Sequence, residues 1–196
     1  MLVFYSKLIN SNWFQLKAGT VLRKFKSKGG YNVTLRTPAW RDLDDLLEFI
    51  NSLVEEDAMI GRDSKVTRDE EVDWLAERLK NLEKDRNMQI VAEVDGVVIG
   101  SCELSPRGGR MRHVGSLGIS ISKGFRNLGI GQEMMKELEK HADDLGIKII
   151  TLQVFSINER AIHVYRKMGF NEAGNIQRGI RYKEGFVDNT IMVKHL

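Results

Sequence analysis

The chain has 196 residues, 42% of them hydrophobic and 29% charged, with a formal net charge of +3. That size fits one domain with at most an appendage, and the composition is that of an ordinary globular protein. No apolar stretch approaches the length needed to span a bilayer, and the single cysteine, Cys102, excludes an internal disulfide.

The start, "MLVFYSKLINSNWFQLK", opens apolar but has no adequate hydrophobic core region or cleavage site, so no signal peptide is expected. With one cysteine, a reducing, cytoplasmic setting is the natural expectation. Charge is unevenly placed. Residues 1 to 41 hold Lys7, Lys17, Arg23, Lys24, Lys26, Lys28, Arg36 and Arg41 and no acid, so the remainder carries 30 − 8 = 22 basic against 27 acidic residues. A basic leader on an acidic body can bind nucleic acid, an anionic surface, or its own body. The preferred reading is an extension over residues 1–30, solvated or docked on the body, hinged at "KSKGGYN" and followed by one domain over 31–196.

From Val33 the pattern is regular. "NVTLR" reads as a strand, and "TPAWRDLDDLLEFINSLVEE" as a helix with Leu43, Leu46, Leu47, Ile50, Leu53 and Val54 at helical spacing. "TRDEEVDWLAERLKNL" opens with Thr67 and Glu70 in capping-box spacing. "MQIVAEVDGVVIGSCEL" reads as two strands joined at Asp95-Gly96, a favoured tight-turn pair. "VGSLGISI" is the next strand, "GQEMMKELEKHADDLG" a helix ended by Gly146, and "IKIITLQVF" a buried strand. "NERAIHVYRKMGF" is a short helix, and "GIRYKEGFVDNTIMVKHL" a last hairpin. The order β-α-α-β-β-β-α-β-α-β-β is that of an α/β domain with a mixed sheet.

Between strand and helix lies "KGFRNLGIGQEMM". A helix start leaves backbone N–H groups unpaired and carries a partial positive charge. Gly129 and Gly131 bare that backbone and Arg126 stands one turn ahead, so the stretch reads as an anion cradle, most naturally for a phosphate. It is not a G-x-x-x-x-G-K-[ST] loop, and Met134 occupies the place of the third glycine of G-x-G-x-x-G.

The motif that remains, R-x-x-G-x-G after an alternating strand, resembles the coenzyme A signature of the Gcn5-related N-acetyltransferases (GNAT). The resemblance covers residues 31–196 and implies their fold: a mixed, mostly antiparallel sheet flanked by helices, with a V-shaped splay between the central strands. It further implies acetyl-coenzyme A as cosubstrate. Ile119, Ser120 and Ile121 would then lie along the pantetheine arm, and Arg126, Asn127, Leu128, Gly129, Ile130, Gly131 and Gln132 around the diphosphate. Gly115 and Gly118 would suit the bulge and splay that admit the arm; close packing is the other explanation of them.

"QVFSINERAIHVYRKMGF" resembles the family's second motif, N-x-x-A-x-x-x-Y-x-x-x-G-F. Asn158 suits a helix N-cap, and Tyr165, two turns on, shares its side of the helix, with Ala161 between them. The resemblance assigns Asn158 to the pantetheine region and the Tyr165 phenol to the leaving sulfur as general acid. In such a reaction a neutral amine attacks a thioester, and strand N–H groups can polarise the carbonyl. Where ribosomal-protein alanine acetyltransferases carry a glutamate base, this chain has Gln153. Glu103 is the catalytic base candidate, with His113 or a water chain as the alternatives and Glu55 and Glu56 as outsiders.

The tail "YKEGFVDNTIMV" resembles the branch of RimJ-, RimL- and spermidine-type enzymes. Glu55, Glu56 and Asp57 would suit a cationic acceptor such as a polyamine; Arg107, Arg110 and Arg112 could hold an acidic acceptor or the cosubstrate's 3′-phosphate. The expected function is acetyl transfer to a primary amine of a small molecule or protein. The alternative is a regulatory coenzyme A-binding protein whose leader (residues 1–41) binds nucleic acid or ribosomes. No metal is expected, and a homodimer is compatible with the family.

Overall fold

The structure, a computed structural model, describes residues 16–196, so Lys7 of the basic leader lies outside it. In chain order the elements are β1 (Val21–Lys26), β2 (Asn32–Arg36), α1 (Leu43–Glu55), α2 (Arg68–Glu83), β3 (Met88–Val94), β4 (Val97–Pro106), β5 (Val114–Ile121), α3 (Ile130–Lys140), β6 (Ile149–Phe155), α4 (Glu159–Lys167), β7 (Asn171–Tyr182) and β8 (Gly185–His195). Among the described residues the strands form one sheet in the order β1-β2-β3-β4-β5-β6-β8-β7. Every neighbouring pair is antiparallel except β5–β6. This is the mixed, mostly antiparallel sheet that the element order implied.

Local chemistry accounts for most boundaries. Thr67 caps α2 through the Glu70 N–H, and the Glu70 carboxylate accepts from the Thr67 N–H at 2.8 Å. Asp95 and Gly96 both take positive φ (51° and 85°), as a primed hairpin turn requires. α3 stops at Lys140, earlier than its periodicity suggests, and Gly146 ends the turn that follows the helix. β7 begins at Asn171, directly after α4, and is longer than the sequence pattern indicated.

Alternating strand residues face two cores. On one side Leu104, Cys102, Leu117, Ile150, Leu152 and Val154 pack with Met134, Met135 and Leu138 of α3 and Ile162 of α4. On the other, Val91 and Val98 pack with Leu46 of α1 and Leu75 and Leu79 of α2. A charged cluster sits beside β2. Arg36, 2% exposed, donates to both Asp42 oxygens at 2.6 and 2.7 Å and to Glu93 at 2.7 Å.

The segment from 16 to 30 departs from the reading of residues 1–30 as a separate extension. β1 pairs with β2 along its length, and Leu16, Leu22 and Phe25 join the larger core. The boundary expected at residue 30 therefore falls in the turn of a hairpin, and "KSKGGYN" is that turn rather than a hinge. Two of the leader's basic residues meet acids of the body: Arg23 pairs with Glu133 at 2.6 Å, and Arg41, beyond β2, lies 3.8 Å from both Asp42 and Glu93. Among the described residues, no helix is long and apolar enough to cross a membrane.

Candidate active site

The strand that carries the site has a neighbour on both sides for only part of its length. β5 matches β4 from Gly115 to Ile121, but its pairing with β6 is confined to Val114, Gly115 and Ser116. Beyond Ser116 the two parallel strands part, and this is the V-shaped splay. The β4–β5 register shows no shift, so no bulge opens it. Gly115 is explained by packing instead: a Cβ there would stand 2.7 Å from Leu104 Cδ1 and 2.8 Å from Ile147 Cδ1. Gly118 faces open space.

At the C-terminal end of β5 the chain makes a turn at Lys123–Phe125, takes positive φ at Asn127 (65°) and Gly129 (82°), and enters α3. Gly129 is the N-cap and no side chain caps the helix. The first intrahelical bond runs from the Glu133 N–H to the Gly129 carbonyl, so the N–H groups of Ile130, Gly131 and Gln132 lie ahead of it at the positive end of the helix. Ile130 is buried and Leu128 packs against the core, so these two can offer a ligand only backbone. The two glycines differ in role. Gly129 supplies a left-handed conformation, whereas a Cβ on Gly131 would meet Ile121 Cδ1 at 3.1 Å, which makes it a close-packing position between α3 and β5.

Arg126 has partners of its own within the protein. Its Nε donates to the Ile121 carbonyl at 2.8 Å and its guanidinium pairs with Glu56 at the end of α1. A pair seventy residues apart in sequence carries no local signal.

Across the splay, α4 is capped as expected: the Asn158 side chain accepts from the Ala161 N–H at 3.2 Å. Ala161 and Tyr165 both rest against the larger core, and Tyr165 meets Phe170 edge-on with ring centroids 6.0 Å apart. Burial pushes the Tyr165 phenol up to about 12, with nearby Cys102 adding to the shift. Cys102 is 1% exposed and its thiol is driven well up by burial, so it is an inert core residue.

The raised phenol has a consequence for stability. The folded state keeps the proton that the unfolded chain releases near 10, so its contribution is complete below pH 10 and is lost as pH rises toward 12. A shift of this size corresponds to roughly 2–3 kcal/mol. Urea unfolding at pH 9 and pH 11.5 should therefore show a smaller alkaline loss in Tyr165→Phe than in the wild type; equal losses would contradict the shift.

Glu103 lies on the opposite face of β4 from Cys102, toward α2, where Arg78 pairs with it at 2.9 Å and the Ser105 hydroxyl donates to it. The structure thus does not bring Glu103 and Tyr165 to one face. His113, Arg110 and Arg112 line a shallow groove with Pro106, Gly109, Leu145 and Gly146 at the N-terminal end of β5, and Arg107 donates to Thr151. A strand of this length places them roughly 25 Å from the α3 terminus, too far to hold a phosphate bound there. Glu55 pairs with Lys65 and Glu56 with Arg126, so the acidic cluster is largely neutralised.

Two features had no readable signal. The Asn189 amide donates to Gln153 Oε1 at 2.6 Å, while Asn189 Oδ1 is buried without a partner among the described residues. Phe155 stacks edge-on against Tyr182, whose hydroxyl donates to the Asp57 carbonyl at 3.1 Å. These side chains belong to β6, β8 and the end of β7, on the side of the sheet beyond β6 from β5.

A mixed sheet opened between its parallel strands, with an uncapped helix start on one side and a phenol on the other, is the architecture of an α/β acyltransferase. The description "Acetyltransferase (GNAT) family" fits residues 47–170, and the chain belongs to that family. An L-amino acid N-acetyltransferase, AaaT, of Escherichia coli (strain K12) is 32% identical over 108 residues, 54% of this chain and 67% of that protein. The crystal structure of a GNAT-family acetyltransferase from Streptococcus pneumoniae superposes with TM-score 0.75 and 27% identity, covering 84% of this chain and 99% of that one. A putative acetyltransferase, yncA, from Salmonella typhimurium, solved with its cofactor acetyl-CoA, has the same fold at TM-score 0.73 and 23% identity, covering 84% and 94%.

Proposed function

We propose that the protein transfers an acetyl group from acetyl-coenzyme A to the primary amine of a small molecule, within a ternary complex. The observation that carries this reading is the parting of β5 from β6 beyond Ser116, between the open start of α3 and the Tyr165 phenol. Backbone N–H groups of Ile130, Gly131 and Gln132 suit a diphosphate, and the free edge of β5 over Ile119, Ser120 and Ile121 suits the amides of a pantetheine arm by strand addition. Asn158, already used as a cap, flanks that arm with its helix end. Acetyl-coenzyme A supplies an acetyl group activated as a thioester.

The residues of the chain orient both partners and manage charge. Tyr165 stays protonated at any physiological pH, so its hydroxyl donates to the negative charge that develops on the departing sulfur. Against a thiol of pKa about 8.5, outright loss of the phenol proton is uphill. Tyr165 therefore acts as a strong hydrogen-bond donor, and as an acid only if its proton is replaced as it leaves. Glu103 faces α2 on the other side of β4 from Tyr165, so its part is limited to taking the amine proton through a water chain at Oε2, since Arg78 and the Ser105 hydroxyl both engage Oε1.

A small-molecule acceptor is preferred because the acidic cluster that would suit a polyamine is paired with Lys65 and Arg126, and because AaaT bears the name of an enzyme acting on amino acids. Thiol release from acetyl-coenzyme A should be stimulated by amino acids or close analogues more than by spermidine or a peptide with a free N-terminus. Stimulation by the polyamine or peptide alone would reverse the acceptor class. No release with any amine, alongside tight cosubstrate binding, would point to the regulatory alternative.

A further inference from the structure

The β1–β2 turn lies directly against the loop that opens α3. The Lys28 N–H donates to the Leu128 carbonyl at 3.1 Å, and a Cβ on Gly29 would stand 3.1 Å from the Leu128 methyls. Tyr31 meets Phe125 edge-on, with centroids 5.1 Å apart. The turn is closed on itself by the Ser27 N–H to the Tyr31 carbonyl at 2.9 Å and by the Tyr31 N–H to Ser27 Oγ at 3.2 Å. Below it, Arg23 of β1 pairs with Glu133 in the first turn of α3. The hairpin is thus fixed to both the loop and the helix.

The Lys28 side chain then crosses Gly129. Its Cγ, Cδ and Cε lie 3.8 to 4.0 Å from the place a Gly129 Cβ would take, and the ammonium is one bond further on. No carboxylate pairs with it among the described residues. Arg126, the cation that the motif itself provides, is meanwhile drawn toward Glu56 and the Ile121 carbonyl. The uncapped α3 start therefore has an unengaged cation beside it, and that cation comes from the hairpin.

We propose that Lys28 is a phosphate ligand of the nucleotide end of coenzyme A, brought to the α3 loop by the β1–β2 turn. The inference rests on the reading of that loop as the coenzyme A site. The shared chemistry is a phosphate group; its source is either the diphosphate or the 3′-phosphate.

Calorimetric titration of coenzyme A and dephospho-coenzyme A into the wild type, Lys28→Met and, as a charge control, Lys26→Met tests it. Lys28→Met should weaken coenzyme A binding by roughly tenfold, the size of one charge-assisted contact. Lys26→Met should leave it unchanged. An equal loss for both ligands assigns Lys28 to the diphosphate; a loss for coenzyme A alone assigns it to the 3′-phosphate. Wild-type binding that Lys28→Met leaves intact overturns the role of Lys28 alone, as does an equal loss in Lys26→Met. A wild type that binds neither ligand overturns the underlying reading of the loop, and the role of Lys28 with it.

Discussion

Tyr165→Phe should lower kcat for acetyl transfer by roughly 10²- to 10³-fold, the usual cost of removing one hydrogen-bond donor to developing negative charge, while coenzyme A affinity stays essentially unchanged. The substitution removes one hydroxyl and keeps the ring that meets Phe170 and the core, so the fold should survive it. What is lost is the donor opposite the leaving sulfur. Because the phenol holds its proton up to about 12, the wild-type rate should show no alkaline fall attributable to Tyr165 in the range where the protein is folded. Steady-state kinetics with a saturating acceptor, paired with calorimetric coenzyme A binding, makes the check. An unchanged kcat would remove Tyr165 from the chemistry and leave it a packing residue of α4.

Asp42→Ala should be the costliest change away from the site. Asp42 receives two hydrogen bonds from Arg36 and one from the Ala39 N–H at 2.8 Å, all next to the start of α1. Removing one partner of a buried ion pair costs roughly 3–5 kcal/mol, because the remaining charge is stranded. Glu93 stays in contact with Arg36 and places the expected loss at the lower end of that range. Arg41→Ala is the comparison: its side chain is 69% exposed and its contacts are long, so it should cost less than about 1 kcal/mol. Urea denaturation of both variants decides the matter. Equal losses would mean that the Arg36 cluster is not what anchors β2 to α1.

The central elements were legible in the sequence because their signals are local. Thr67 and Glu70 announce α2, Asp95-Gly96 turns β3 into β4, and Asn158 and Tyr165 keep the spacing of one helix side. β1 was not legible, for a physical reason. Its register shifts between Val21 and Arg23, so Leu22 and Phe25, three apart, both reach the core and the alternation that marks a strand is broken. Dense Lys and Arg then make a sheet strand look like a solvated leader. Around the candidate site, the helix start at Gly129 and the Asn158 cap could be read from their motifs. The engagement of Arg126 by Glu56 could not, since it joins α1 to the loop through tertiary structure alone. Gly131 shows the same limit: the pattern presents it as bare backbone for a ligand, and the packing of α3 on Ile121 gives it a different reason.

The parting of β5 from β6 leaves the sheet unfinished in its middle, where most folds are tightest. Main-chain groups of residues 117–121 on that side have no strand to complete them, and such groups are costly when shut away from water. While the wedge stands open and empty, water is what satisfies them. Deuterium uptake at the amides of this stretch that face away from β4 should consequently be fast in the free protein and slow once an extended guest takes the missing strand's place, which makes occupancy of the cleft a contribution to the integrity of the whole domain.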